Sequence, residues 1–200
     1  MKFNRTILFV ALLFAGLVYP VSGNPQKPNR QNAKPAGKAA GAVSSTAPQF
    51  AFLWQQVDSL SNLGQPRSAL AIVEKIHDRA KSERNDPQLI KSIIYTIKLN
   101  ADFQENFMPK TIVSLRKEIL ASPPPVKQVL QSVLAEVYWK YYQNNQYRFR
   151  NRTQVSGIVS DSVETWDLAT IYSTITQTYL LSPENPDTLQ RIPIGKYEAI

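Results

Sequence analysis

Prolines at 66, 87, 109 and 124 stand where one run of helical periodicity gives way to the next. Between them, apolar residues recur at three- and four-residue steps, which puts them on one face of a helix. Phe50, Leu53, Trp54, Val57 and Leu60 make the first face, and Ala69, Ile72, Val73, Ile76 and Ala80 the second. Ile90, Ile93, Ile94 and Ile97 make the third, and Ile112, Leu115 and Ile119 the fourth. The fifth runs through Val129, Leu130, Val133, Leu134, Val137 and Tyr141. Gly64 suits the left-handed close of the first helix, and Pro66 suits the first turn of the second. Asp86-Pro87 reads as a cap followed by proline, Met108-Pro109 as the start of the fourth helix, and Ser122 as the cap of the fifth.

Short connections make successive helices antiparallel neighbours. Residues 50–200 are therefore expected to form an all-α array of antiparallel helical hairpins of a tetratricopeptide-like kind. Trp54, Val57, Gly64 and Ala69 fit that repeat, whereas Asp58 and Ser61 depart from its signature. After Gln143-Asn144-Asn145 the helical period stops. Residues 147–153 alternate aromatic or polar with basic, which predicts an extended segment. Asp161-Ser162-Val163-Glu164 resembles a capping arrangement for a last helix carrying Leu168, Tyr172, Ile175 and Tyr179, with Trp166 at its start.

The chain opens with Lys2 and Arg5, then a short apolar run over Ile7–Val21, then Val21-Ser22-Gly23. The run is too short for a spanning helix and fits a secretory signal peptide over residues 1–23, touching the membrane only during export. Residues 24–49 are rich in Pro, Ala, Gly, Ser and Asn and carry four basic residues without an acid, the composition of a disordered basic linker. The net charge of +8 belongs mostly to these two segments, because Phe50–Ile200 holds 17 basic and 15 acidic residues. A near-neutral folded part in an exported protein of the periplasm or cell surface argues against nucleic acid as partner. No cysteine is present, so thiolate metal sites, thiol nucleophiles and redox motifs are excluded.

The densest chemical feature is Ala135–Arg152, with Tyr138, Trp139, Tyr141, Tyr142, Tyr147 and Phe149. Such rings form either a stacking platform for a partner or, more often, core. Arg148, Arg150 and Arg152 interleave with them as basic contacts for a partner, or as partners of acids such as Asp161, Glu164 or Asp167. His77 is the only histidine and reads as a surface residue, apart from the face of Ile72 and Ile76. No nucleophile motif, paired carboxylates of defined spacing, phosphate loop or dinucleotide fingerprint stands out, so no catalytic role, cofactor or metal is expected. Asn151-Arg152-Thr153 fits an N-glycosylation acceptor.

Several strings carry a resemblance. Trp139-Lys140-Tyr141-Tyr142-Gln143-Asn144-Asn145, Arg148-Phe149-Arg150-Asn151-Arg152-Thr153, Thr165-Trp166-Asp167-Leu168 and Ile192-Pro193-Ile194 resemble the N-terminal helical region of large alpha-2-macroglobulin-like proteins of Bacteroides-type bacteria. Trp54–Leu70 and Asn85–Ile97 are similar to it as well. The resemblance implies a non-catalytic leader of a cell-envelope endopeptidase inhibitor. Its partners would be downstream macroglobulin domains or the proteases they entrap. The Cys-Gly-Glu-Gln thioester of some relatives has no counterpart in a chain without cysteine. The alternative is a free-standing exported helical-repeat module that binds a peptide or envelope protein.

Overall fold

The computed structural model describes residues 47–152, 161–198 and 200. The expected signal peptide and nearly all of the expected linker lie outside these residues, as does Thr153 of the glycosylation acceptor. Pro48–Ile200 forms one compact unit. Its described residues hold eight α-helices and two short 3-10 turns, and no strand. The helices are α1 (Ala47–Asn62), α2 (Pro66–Ser82), α3 (Asp86–Phe103), α4 (Phe107–Ala121), α5 (Val126–Asn144), α6 (Gln146–Arg150), α7 (Leu168–Leu181) and α8 (Pro186–Gln190). Among the described residues, no helix is long and apolar enough to cross a membrane.

The closest packing is of α2 on α3, of α4 on α5, and of α7 on α5. The predicted inward faces of the first five helices are buried or packed on the core throughout. Helix α1 reaches α3, where Trp54 Nε1 donates to Gln88 Oε1 over 2.6 Å and the Trp54 and Tyr95 rings lie 4.6 Å apart. Helix α5 is the hub. It buries eleven residues, including Val126, Leu130, Val133, Ala135 and Tyr138, and these cannot fit one stripe. A helix apolar on several faces must be covered on several sides. Here α4 and α3 cover one flank and α7 another.

The ends of α1 and α2 close alike. Gly64 stands at φ +68° and Gln65 N–H donates to Leu60 C=O over 2.9 Å. Arg84 stands at φ +53° and Asn85 N–H donates to Ala80 C=O over 2.8 Å. Both reversals need a left-handed residue, which glycine adopts readily and arginine adopts at a cost.

Four expectations are corrected. The segment from Tyr147 is not extended: Gln146–Arg150 is helical, followed by a turn. In a strand Tyr147 and Phe149 would share a face, yet Phe149 is 2% exposed and Tyr147 81%. Asn145 C=O accepts from the N–H groups of Arg148 and Phe149, which nucleates the extra helical turn. Ser122 does not cap α5; it is the extended residue that ends α4, and α5 starts after Pro125. Pro123 and Pro125 have no N–H to offer, but their carbonyls accept from Lys127 and Val129. Asp86 is not the cap of α3, because Asn85 accepts from Gln88 N–H. The last helix begins at Leu168, not near Ser162. Asp167 Oδ1 accepts from Thr170 N–H over 2.7 Å, while Val163–Thr165 is a 3-10 turn.

Candidate functional site

The aromatic stretch is dispersed around α5 and does not form an open platform. Helix α5 places Tyr138, Tyr141 and Tyr142 on buried faces, and α6 folds Phe149 back between the last two. Phe149 meets Tyr141 edge-on at 6.0 Å and Tyr142 at 5.8 Å. Trp139 is partly buried and lies 5.5 Å from Tyr142, whose ring also meets Tyr172 of α7 at 4.9 Å. Tyr147 alone of the six is exposed. Burial is the first cause that raises the pKa of Tyr138 and Tyr141, because phenolate would lose its hydration there.

The three interleaved arginines separate. Arg148 Nη1 donates to Asn145 Oδ1 at 3.4 Å and Arg150 is exposed. Arg152 donates to Trp166 C=O over 2.7 Å and lies 6.0 Å from the Phe149 ring, which ties the turn after α6 to the segment before α7. Its partner is a backbone carbonyl in place of the carboxylates considered from the sequence. The arginine that organises this end of the fold is one the sequence did not single out. Arg116 of α4 donates to the Tyr138 hydroxyl over 2.7 Å and to Asp161 C=O over 3.1 Å. Its guanidinium lies 5.7 Å from the Tyr138 ring and 5.2 Å from the Trp166 ring.

A concavity lies among α2, α3 and α4, with a volume of about 330 Å³. Helix α2 presents Glu74, His77 and Asp78 to it, and α3 presents Ile93 and Ile97. Phe107, Lys110, Leu115 and Glu118 complete the α4 wall. Lys81 of α2 reaches across to Glu118 of α4, with both carboxylate oxygens at 2.8 Å. His77 is therefore not a plain surface residue: it is half-buried and lines the cleft. Ser92 Oγ donates to Leu89 C=O over 2.7 Å and lies 3.3 Å from His77 Nδ1. The serine proton is thus directed at Leu89 C=O, and the His77 ring packs against the hydroxyl oxygen. With Ser92 fully buried, this pair is not a nucleophile and its base.

Among the described residues, no group of three or more His, Asp or Glu side chains is placed to hold a metal ion. The architecture is thus that of an all-helical unit with an aromatic hub and a polar-rimmed cleft. No family model, curated protein or solved structure matches the chain.

Proposed function

We propose that this unit is the non-catalytic N-terminal helical segment of an exported alpha-2-macroglobulin-like protein of the cell envelope, with protease entrapment belonging to domains further along the chain. One observation supports the reading. The strings that resemble the family at Trp139–Asn145, Arg148–Arg152 and Thr165–Leu168 converge on one packed node. Arg152 bonds Trp166 C=O there and lies 6.0 Å from the Phe149 ring, and Phe149 closes on Tyr141 and Tyr142. Residues that hold a fold together keep their identity among relatives more readily than surface residues do. The close packing of α2 on α3 and of α4 on α5 supports helical hairpins, whereas α1 and α2, between which the tetratricopeptide-like Trp54, Val57, Gly64 and Ala69 are divided, are not a closely packed pair.

The gene read beyond codon 200 tests this. An open frame continuing into β-rich macroglobulin domains supports the proposal, and a stop codon immediately after Ile200 removes it. The cleft among α2, α3 and α4 favours a second reading, an exported helical module that binds a protein partner. Envelope fractionation, with N-terminal sequencing of the mature chain, tests export for both. A mature chain beginning at Asn24 is the expected result.

A further inference from the structure

We propose that the cleft among α2, α3 and α4 receives a single arginine or lysine side chain of a protein partner. The inference concerns the cleft alone and holds under either reading of the unit. At about 330 Å³ the space holds a long side chain with room to spare and is too small for a whole helix of a partner. It lies near the lower end of the roughly 300–1,000 Å³ typical of ligand sites.

The two halves of such a side chain have separate counterparts. Ile93, Ile97 and Leu115 give an apolar wall for an aliphatic stem. Glu74 and Asp78, four residues apart on α2, both line the cleft and are exposed, and neither has an ion-pair partner among the described residues. Glu118 is already held by Lys81. Lys110 lines the opposite, α4 side, so the field favours a cation near α2 and disfavours one near α4. The ring of His77 lines the cleft on the same α2 side as Glu74 and Asp78. Arginine and lysine combine an apolar stem with a charged head. A carboxylate or phosphate would meet Glu74 and Asp78 with like charge, and a wholly apolar side chain would leave the cleft's rim unmatched. Among the described residues, no set of three such ligands is placed for a bare metal cation.

The test titrates the ¹⁵N-labelled chain with an acetylated, amidated Gly-Ala-Leu-Arg-Leu-Ala-Gly peptide and follows backbone amide shifts. The expected result is a saturable shift confined to α2, α3 and α4. A twin peptide with norleucine in place of arginine, and one with glutamate, should each bind at least tenfold more weakly. Glu74→Gln combined with Asp78→Asn should weaken the arginine peptide at least tenfold while leaving the melting temperature unchanged, because both side chains are exposed. Raised salt should weaken it too. Equal binding of either twin, undiminished binding by the double variant, shifts centred elsewhere, or no saturable shift would each overturn the proposal.

Discussion

Arg116 Nε donates to the Tyr138 hydroxyl over 2.7 Å, joining α4 to the hub helix through a charged donor and a ring that is 1% exposed. Hydrogen bonds to charged groups contribute about 1.5–3 kcal/mol each. Tyr138→Phe keeps the ring and its stacking on Trp166 but deprives Arg116 of an acceptor. The expected loss is about 1.5–2 kcal/mol, read as a lower urea midpoint with an unchanged m-value. Arg116→Met removes the donor and leaves a buried hydroxyl in its place, and is expected to cost as much or more. A midpoint that does not move in either variant would mean that this bond adds nothing to stability.

The matching reversals at Gly64 and Arg84 give opposite predictions for opposite substitutions. Both residues sit at positive φ, and a Cβ at Gly64 would meet nothing within 4 Å. Gly64→Ala therefore tests backbone strain alone and should destabilise by about 1 kcal/mol. Arg84→Gly relieves the same strain, offset by the entropy of glycine in the unfolded chain, and should stabilise by about 0.5–1 kcal/mol. Melting temperatures moving in opposite directions would bear this out. A fall in both would show that the arginine side chain contributes more than its backbone costs.

These two reversals also mark how far the sequence could be read. Gly64 announced its turn because glycine is the usual residue there, whereas Arg84 gave no such signal. The inward faces of α1 to α4 were legible because each helix buries a single stripe at helical spacing. Helix α5 was harder, since a hub covered on several sides loses the contrast between faces. The segment 147–151 was misread because aromatic and basic residues alternate over too few positions to separate a strand from one helical turn. Its helix is fixed by Asn145 C=O and by the pocket between Tyr141 and Tyr142, both of them set by α5. The cleft was invisible because Glu74, Asp78 and Glu118 come together only through the packing of α2, α3 and α4. Arg116 was missed for the same reason. Its partners, Tyr138, Asp161 and Trp166, lie far along the chain.

Alkaline pH should weaken the fold through Tyr197. Its hydroxyl is buried without a hydrogen-bond partner among the described residues. Burial, and then the negative charge of Asp86, push its pKa up from 10.0 to about 12. The folded state thus holds a proton that the unfolded chain releases near pH 10, and stability falls wherever the unfolded state binds fewer protons. This contribution is complete below pH 10 and is lost as the pH rises from 10 towards about 12. Tyr179 acts in the same direction, raised by burial and by its hydrogen bond to Glu136. Tyr197→Phe should be neutral or slightly stabilising at pH 7, since it removes an unpaired buried hydroxyl, and should flatten part of the alkaline decline. Urea midpoints across this range decide it. An alkaline limb as steep in the variant as in the parent would assign the decline to other groups.

Trp139 and Trp166 differ in what their removal should cost, and the difference separates core from surface within the aromatic stretch. Trp166 is 4% exposed, stacks at 5.6 Å on Tyr138, lies under the Arg116 guanidinium and offers its carbonyl to Arg152. Truncating a fully buried aromatic ring costs about 3–5 kcal/mol, so Trp166→Ala should fall in that range and loosen the turn after α6 as well. Trp139 is only partly buried, with a ring contact to Tyr142. Less area returns to water when its ring is removed. Trp139→Ala should therefore cost about 1–2.5 kcal/mol, clearly less than Trp166→Ala. Paired denaturation curves test the ordering. Equal losses would mean that the surroundings of Trp139 are as tightly packed as the Arg116 node. A Trp139 variant as stable as the parent would reopen that ring as a surface for a partner.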